Sequence, residues 1–87
     1  MDAATLRKRI MSTLLRDIQE AKYPSVTMMN RVEGELTSPE DVADYAEVLL
    51  EKVEASRFPS VTMLDRLDAL AARLEQSERT AADRAAA

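Results

Sequence analysis

Two similar hexapeptides lie 35 residues apart in this chain: Tyr23-Pro24-Ser25-Val26-Thr27-Met28 and Phe58-Pro59-Ser60-Val61-Thr62-Met63. They belong to a longer alignment, in which residues 14–36 match residues 49–71 at the same offset. A period of this length is typical of supersecondary units that cannot bury their apolar faces alone. The sequence therefore predicts two units of similar design, with repeat one over about 5–36 and repeat two over about 38–76.

The composition predicts an all-α protein with short connections. The chain of 87 residues contains one Gly, three Pro, no Cys and no His, and it is rich in the good helix formers Ala, Leu, Arg and Glu. A chain of this length makes one small domain, which we place at residues 1–79. Residues 80–87 contain no apolar side chain larger than Ala, so we expect this tail to fray or to be disordered.

Prolines and serines predict where the helices begin and end. A residue before proline avoids helical backbone angles, so the aromatic residue of each hexapeptide lies in a turn, and the serine after the proline caps the next helix. Ser38, followed by Pro39 and by an acid at Asp41, is a further helix start. We expect four helices, over about 5–21, 25–34, 39–56 and 60–76.

These helices form two helix-turn-helix hairpins, and two hairpins are fewer than a solenoid needs. We therefore favour a compact four-helix bundle-like domain. The sequence leaves open whether the hairpins are related by a pseudo-two-fold axis or by a translation. In a closed bundle Tyr23 and Phe58 would be equivalent core anchors; in the alternative interpretation, they and the neighbouring prolines lock the turns.

The doubled aromatic-Pro-Ser turn precedes a Met-rich helix and an Asn-Arg or Asp-Arg pair (residues 30–31 and 65–66). In these features, over about residues 5–75, the chain resembles a small actinobacterial family of all-helical proteins of unknown function. The resemblance implies a helical fold and no assigned activity, so it transfers no functional residue.

Charge is distributed differently over the first and third predicted helices. Five carboxylates follow one another at steps of four and three residues along one side of the third helix, here called the acidic face: Glu40, Asp44, Glu47, Glu51 and Glu54. Applying the offset of 35, Arg9 stands where Asp44 stands and Arg16 where Glu51 stands, and these two arginines are here called the basic face. Both faces could be solvated surfaces, could pair in a homodimer, or could dock a different charged partner.

A second set of candidate residues lies at the two turns. Free N–H groups at a helix N-terminus, with hydroxyls and a cation beside them, can hold a phosphate or a carboxylate. The alternative is that the serines cap helices and the cations lie in solvent. The candidates for anion contacts are Lys22, Ser25, Thr27 and Arg31 in the first copy and Arg57, Ser60, Thr62 and Arg66 in the second.

Catalysis is not expected from this composition. Without Cys and His the chain lacks thiol nucleophiles, zinc ligands and the commonest general base, and no Asp-x-Asp-x-Asp-Gly calcium loop occurs. We therefore predict a protein that is not an enzyme, with no catalytic residues, cofactor, metal site or small-molecule substrate. Because the first residues reach charge quickly and no long apolar run follows, we expect a cytoplasmic protein without membrane contact.

Nucleic-acid binding is the alternative function, because helix-turn-helix units are a common scaffold for it. The net charge of −4 and the pI near 4.8 argue against it, since binding to a duplex needs several unpaired cations. The sequence thus predicts a non-catalytic protein–protein interaction module, which self-associates or docks a charged partner.

Overall fold

The computed structural model describes residues 1–86, and in these residues all regular structure is helical. The all-α class is therefore confirmed. The four helices are α1 (Ala3–Glu20), α2 (Val26–Glu35), α3 (Pro39–Ala55) and α4 (Val61–Ala86).

Side-chain caps begin the helices at the predicted serines. The Oγ atoms of Ser25, Ser38 and Ser60 each accept a hydrogen bond from the backbone N–H three residues later, at 3.1, 3.1 and 3.3 Å. The start of α1 is capped by the carboxylate of Asp2, which accepts from the N–H of Thr5 at 2.8 Å. Each cap satisfies an N–H group that the helix itself leaves without a partner.

The two turns between helices occupy equivalent positions. Residues 21–25 connect α1 to α2, and residues 56–60 connect α3 to α4. The helix ends at Glu20 and Ala55 and the helix starts at Val26 and Val61 are both separated by the same 35 residues as the hexapeptides.

The chain divides into two units, with the boundary after Leu36. In the first unit α1 packs against α2, and in the second α3 packs against α4. The first unit has four buried apolar residues: Ile18, Met29, Val32 and Leu36. The second has five: Val42, Tyr45, Leu49, Val53 and Leu70. The expectation of one domain over residues 1–79 stays a prediction.

Helix α3 buries Val42, Leu49 and Val53, three of the residues that share one apolar face at helical spacing. Helical spacing also predicts Leu50 at the edge of that face, whereas the structure leaves Leu50 46% exposed and buries Tyr45 completely. Successive helical residues are rotated by about 100°, so Leu50 is turned away from the side that Leu49 and Val53 bury. Tyr45, three residues after Val42, lies on that side.

The two turn aromatics are not core anchors. Tyr23 is 83% exposed and Phe58 is 82% exposed, which contradicts the bundle-anchor interpretation. Each aromatic residue lies in a turn, directly before a proline that disfavours helical backbone angles for it. Neither ring is packed into the unit that contains it.

Helix α4 is longer than predicted. It continues through residues 77–86, where the sequence predicted first the helix end and then a disordered tail; Ala87 lies outside the described residues. Ala has the highest intrinsic helix propensity, which does not depend on packing. Side chains that bond one turn back, such as Arg79 Nη2 to Glu75 Oε1 at 2.8 Å, also favour the helix here.

Candidate interaction surfaces

The acidic face lies on the side of α3 opposite to its buried residues. All five of its carboxylate side chains are exposed. Adjacent like charges at these spacings repel by about 0.2–0.5 kcal/mol per pair, so the four consecutive pairs of the face together cost about 1–2 kcal/mol. The face is therefore a surface whose free energy falls when a cation approaches.

The basic face lies on α1, again opposite to the side that contains buried Ile18. Arg9 and Arg16 are both exposed, and each is separated by 35 residues from a carboxylate of the acidic face. The structure thus places the two predicted faces on the solvent side of their helices. Glu20, which is also exposed, shares the side of α1 that carries the two arginines.

Two ion pairs lie away from both faces. Arg31 Nε lies 3.5 Å from Glu35 Oε1, and Arg79 Nη2 lies 2.8 Å from Glu75 Oε1. Both pairs join residues four apart on one helix and are exposed, so each contributes little to stability. Neither supplies a counter-charge to the acidic or the basic face.

Each turn presents an exposed aromatic ring with a cation beside it. Lys22 Nζ lies 5.6 Å from the centre of the Tyr23 ring, and the guanidinium carbon of Arg57 lies 5.6 Å from the centre of the Phe58 ring. Cation–π attraction at such exposed sites is worth about 0.5–1 kcal/mol.

Exposed apolar residues continue from each ring into the following helix. Val26 is 56% exposed after the first turn, and Val61 is 71% exposed after the second. Leu64 on α4 is also exposed, whereas its equivalent in repeat one, Met29, is buried. We call Tyr23 with Val26 the Tyr23 patch. We call Phe58 with Val61 and Leu64 the Phe58 patch.

The residues predicted to bind an anion have local partners in part. Ser25 and Ser60 accept backbone N–H groups as caps, Lys22 and Arg57 lie over their neighbouring rings, and Arg31 pairs with Glu35. Thr27 and Thr62 are exposed in the first helical turns, and Arg66 is half-buried. Anion binding at the turns stays a prediction.

A shallow cleft of about 270 Å³ lies within the second unit, where the start of α3 faces α4. Thr37, Ser38 and Val42 line one side, and Arg73, Gln76 and Ser77 line the other. The Ser38 hydroxyl oxygen accepts the N–H of Asp41. The sequence did not predict this cleft, because a cleft depends on how α3 packs against α4 and not on a local pattern.

Residues 1–86 contain no group of three or more metal-binding side chains close enough to hold an ion. None of the helices described in these residues has the length and apolarity needed to cross a membrane.

The sequence predicted the charged faces but missed the apolar patches. The faces follow from helical periodicity alone, whereas the exposure of an aromatic ring depends on tertiary packing. The signal that could have found the patches is the proline after each aromatic residue, since it keeps that residue outside the helices that form the buried faces.

Comparisons of the chain with protein-family models, with curated proteins and with solved structures find no match.

Proposed function

We propose that the chain is a non-catalytic protein–protein interaction module that associates with a second copy of itself. The basic face of one copy binds the acidic face of the other, and the reverse contact forms at the same time. The observation that carries this proposal is the acidic face: five exposed carboxylates lie on one side of α3, and the Arg31–Glu35 and Arg79–Glu75 ion pairs lie elsewhere.

The charge balance of the two units supports a contact between unlike halves. Residues 1–36 carry six basic and five acidic side chains, for a net charge of +1, and residues 37–87 carry six basic and eleven acidic side chains, for a net charge of −5. Complementary charge steers encounter and selects against wrong pairings. Two acidic halves repel each other, so the first unit of one copy meets the second unit of another.

The test is sedimentation velocity over a wide range of protein concentrations, at about 50 mM and about 500 mM salt. Salt screens exposed charges over a Debye length of about 10 Å at 0.1 M and about 3 Å at 1 M. We expect a dimer at low salt that dissociates at high salt. A monomer at every concentration and salt would refute self-association.

Substitution of the basic face tests which charges are responsible. Arg9→Glu with Arg16→Glu should abolish the low-salt dimer while leaving helicity unchanged, because both side chains are exposed. The matched control is Arg7→Glu with Lys8→Glu, which makes the same change in net charge on exposed positions of the same helix. If the control weakens the dimer equally, net charge rather than the basic face causes association.

A charge swap completes the test. Asp44→Arg with Glu51→Arg reverses the equivalent positions of the acidic face and should also give a monomer. Mixing this variant with the Arg9→Glu, Arg16→Glu variant should restore a heterodimer, since one interface then pairs glutamates with arginines. No association in the mixture would contradict direct contact between the faces.

Nucleic-acid binding stays a prediction of the sequence, and a gel shift with duplex and single-stranded probes at physiological salt tests it. The basic face consists of two arginines and has a glutamate on the same side of the helix, which is few cations for a surface that must neutralise several phosphates. The charge pattern therefore favours the protein partner.

A further inference from the structure

We infer that the Tyr23 patch is the apolar anchor of this self-association and that its occupant is Leu50 of a second copy. The inference rests on the proposed function, to which it adds the residues that hold the interface together. Exposed ion pairs each contribute little to affinity, so pairing of the charged faces gives specificity and steering but needs an apolar contact for affinity.

Both residues of the Tyr23 patch are exposed. Tyr23 is 83% exposed and Val26 is 56% exposed. Aromatic residues supply much of the binding energy at protein interfaces, where they are anchors in a surrounding of near-neutral contacts. A ring that is this exposed contributes little to the folding of its own unit, so its area is available for a partner.

Leu50 lies beside carboxylates of the acidic face. This leucine is 46% exposed and follows Glu47 by three residues and precedes Glu54 by four, so both carboxylates are its neighbours on the surface of α3. An exposed leucine at the edge of an acidic face combines an apolar knob with negative charge. The partner surface that fits it is an apolar patch with positive charge beside it.

The Tyr23 patch has this complementary chemistry. Lys22 lies over the Tyr23 ring and is exposed, and the patch belongs to the unit that carries the basic face. When Leu50 packs on Tyr23 and Val26, the carboxylates beside it come within reach of Lys22.

The Phe58 patch supplies a control within the same chain. Phe58 is as exposed as Tyr23, and Arg57 lies over its ring at the same 5.6 Å. However, this patch follows α3 directly and belongs to the unit with a net charge of −5, so an approaching acidic face is repelled there. Charge, rather than exposed area, therefore assigns the contact to Tyr23.

The experiment measures the dimer dissociation constant at about 50 mM salt for Tyr23→Ser, Leu50→Ser and Phe58→Ser. We expect Tyr23→Ser and Leu50→Ser each to raise Kd by about tenfold or more, as for an interface hot spot, and Phe58→Ser to change it by less than about twofold. Circular dichroism of each variant should match the original chain, because all three side chains are exposed.

The variant that combines Tyr23→Ser and Leu50→Ser tests direct contact. If the two side chains touch across the interface, the combined increase in Kd is smaller than the product of the single increases; independent sites multiply. Multiplicative effects, or a Phe58→Ser loss equal to that of Tyr23→Ser, would overturn the inference.

The two proposals fail in different ways. A salt-sensitive dimer that depends on Arg9 and Arg16 but tolerates Tyr23→Ser would overturn the apolar anchor and leave the proposed function standing. A chain that is monomeric before any substitution would overturn both.

Discussion

The two tyrosines of this chain provide a direct test of the burial that the structure describes. Tyr45 on α3 is completely buried, and Tyr23 in the first turn is 83% exposed. Replacing each by Ala removes the same atoms from two opposite environments. The difference between the two losses in stability therefore reports the difference between the two environments.

The magnitude follows from the two environments. Truncating a buried aromatic ring to Ala costs about 3–5 kcal/mol, and each kcal/mol lowers the melting temperature of a domain of this size by about 4–8 °C. Tyr45→Ala should therefore lower the melting temperature by about 12 °C or more. Tyr23→Ala loses the contact with Lys22 at 5.6 Å, which is worth about 0.5–1 kcal/mol and thus less than about 8 °C.

The assay is thermal and urea unfolding followed by circular dichroism, at micromolar protein concentration and about 500 mM salt, where self-association is weakest. A total stability of about 4–13 kcal/mol is expected for a chain of this length, so a Tyr45→Ala variant that is largely unfolded at 25 °C also agrees with the structure. The control is Tyr23→Phe, which keeps the ring and should be neutral.

Equal losses for the two Ala variants under these conditions would refute the reasoning. Tyr23 would then be packed within its own chain, as the bundle-anchor interpretation of the sequence required. If the Tyr23→Ala loss is large only at high protein concentration and low salt, the ring is buried by a second copy, which is the contact proposed above.

Two further predictions concern single positions in the first unit. Gly34→Ala should raise the free energy of unfolding by about 0.5–1 kcal/mol in urea titrations, because Gly34 lies in α2 with no positive φ and no atom within 4 Å of an added Cβ; a loss would show that the space is not free. Hydrogen bonds from the Thr5 hydroxyl and from the Thr5 backbone N–H hold the pKa of Asp2 below its ordinary 3.8. The charged cap therefore stabilises the start of α1 at pH values above that ordinary pKa, and the stabilisation is lost as the pH falls through the lowered pKa. NMR of the Thr5 amide should detect the loss. Asp2→Asn should keep the cap and remove its pH dependence.

The sequence predicted those features of the fold that local chemistry determines. The starts of α2, α3 and α4 follow from a serine cap after or before a proline, and the structure confirms each cap by a hydrogen bond. The two turns were predicted because a proline constrains the residue that precedes it. These interactions lie within a few residues of each other, so they can be read without knowing how the helices pack.

The features that the sequence analysis predicted incorrectly depend on packing or on a competition between weak terms. Tyr45 and Leu50 differ by five positions on one helix, and tertiary packing decides which of them is covered. The helix over residues 80–86 has no apolar contact larger than Ala to predict it and rests on intrinsic propensity. The charged faces were predictable because side chains opposite a buried helix face are exposed. Helical periodicity does not identify the partner that binds such a face.

The proposed self-association has two possible forms, a closed dimer and an open chain. A contact between unlike surfaces of two copies leaves one of each surface free, and repetition of that contact produces an open chain unless the geometry closes. In a two-fold dimer both contacts form together, and the second forms at the high effective concentration that the first creates. A closed dimer of the proposed kind uses both pairs of faces and leaves none to recruit a third copy. Mass that stops increasing at the dimer is therefore the result that a closed dimer requires, and mass that continues to rise with concentration would assign the faces to an open assembly.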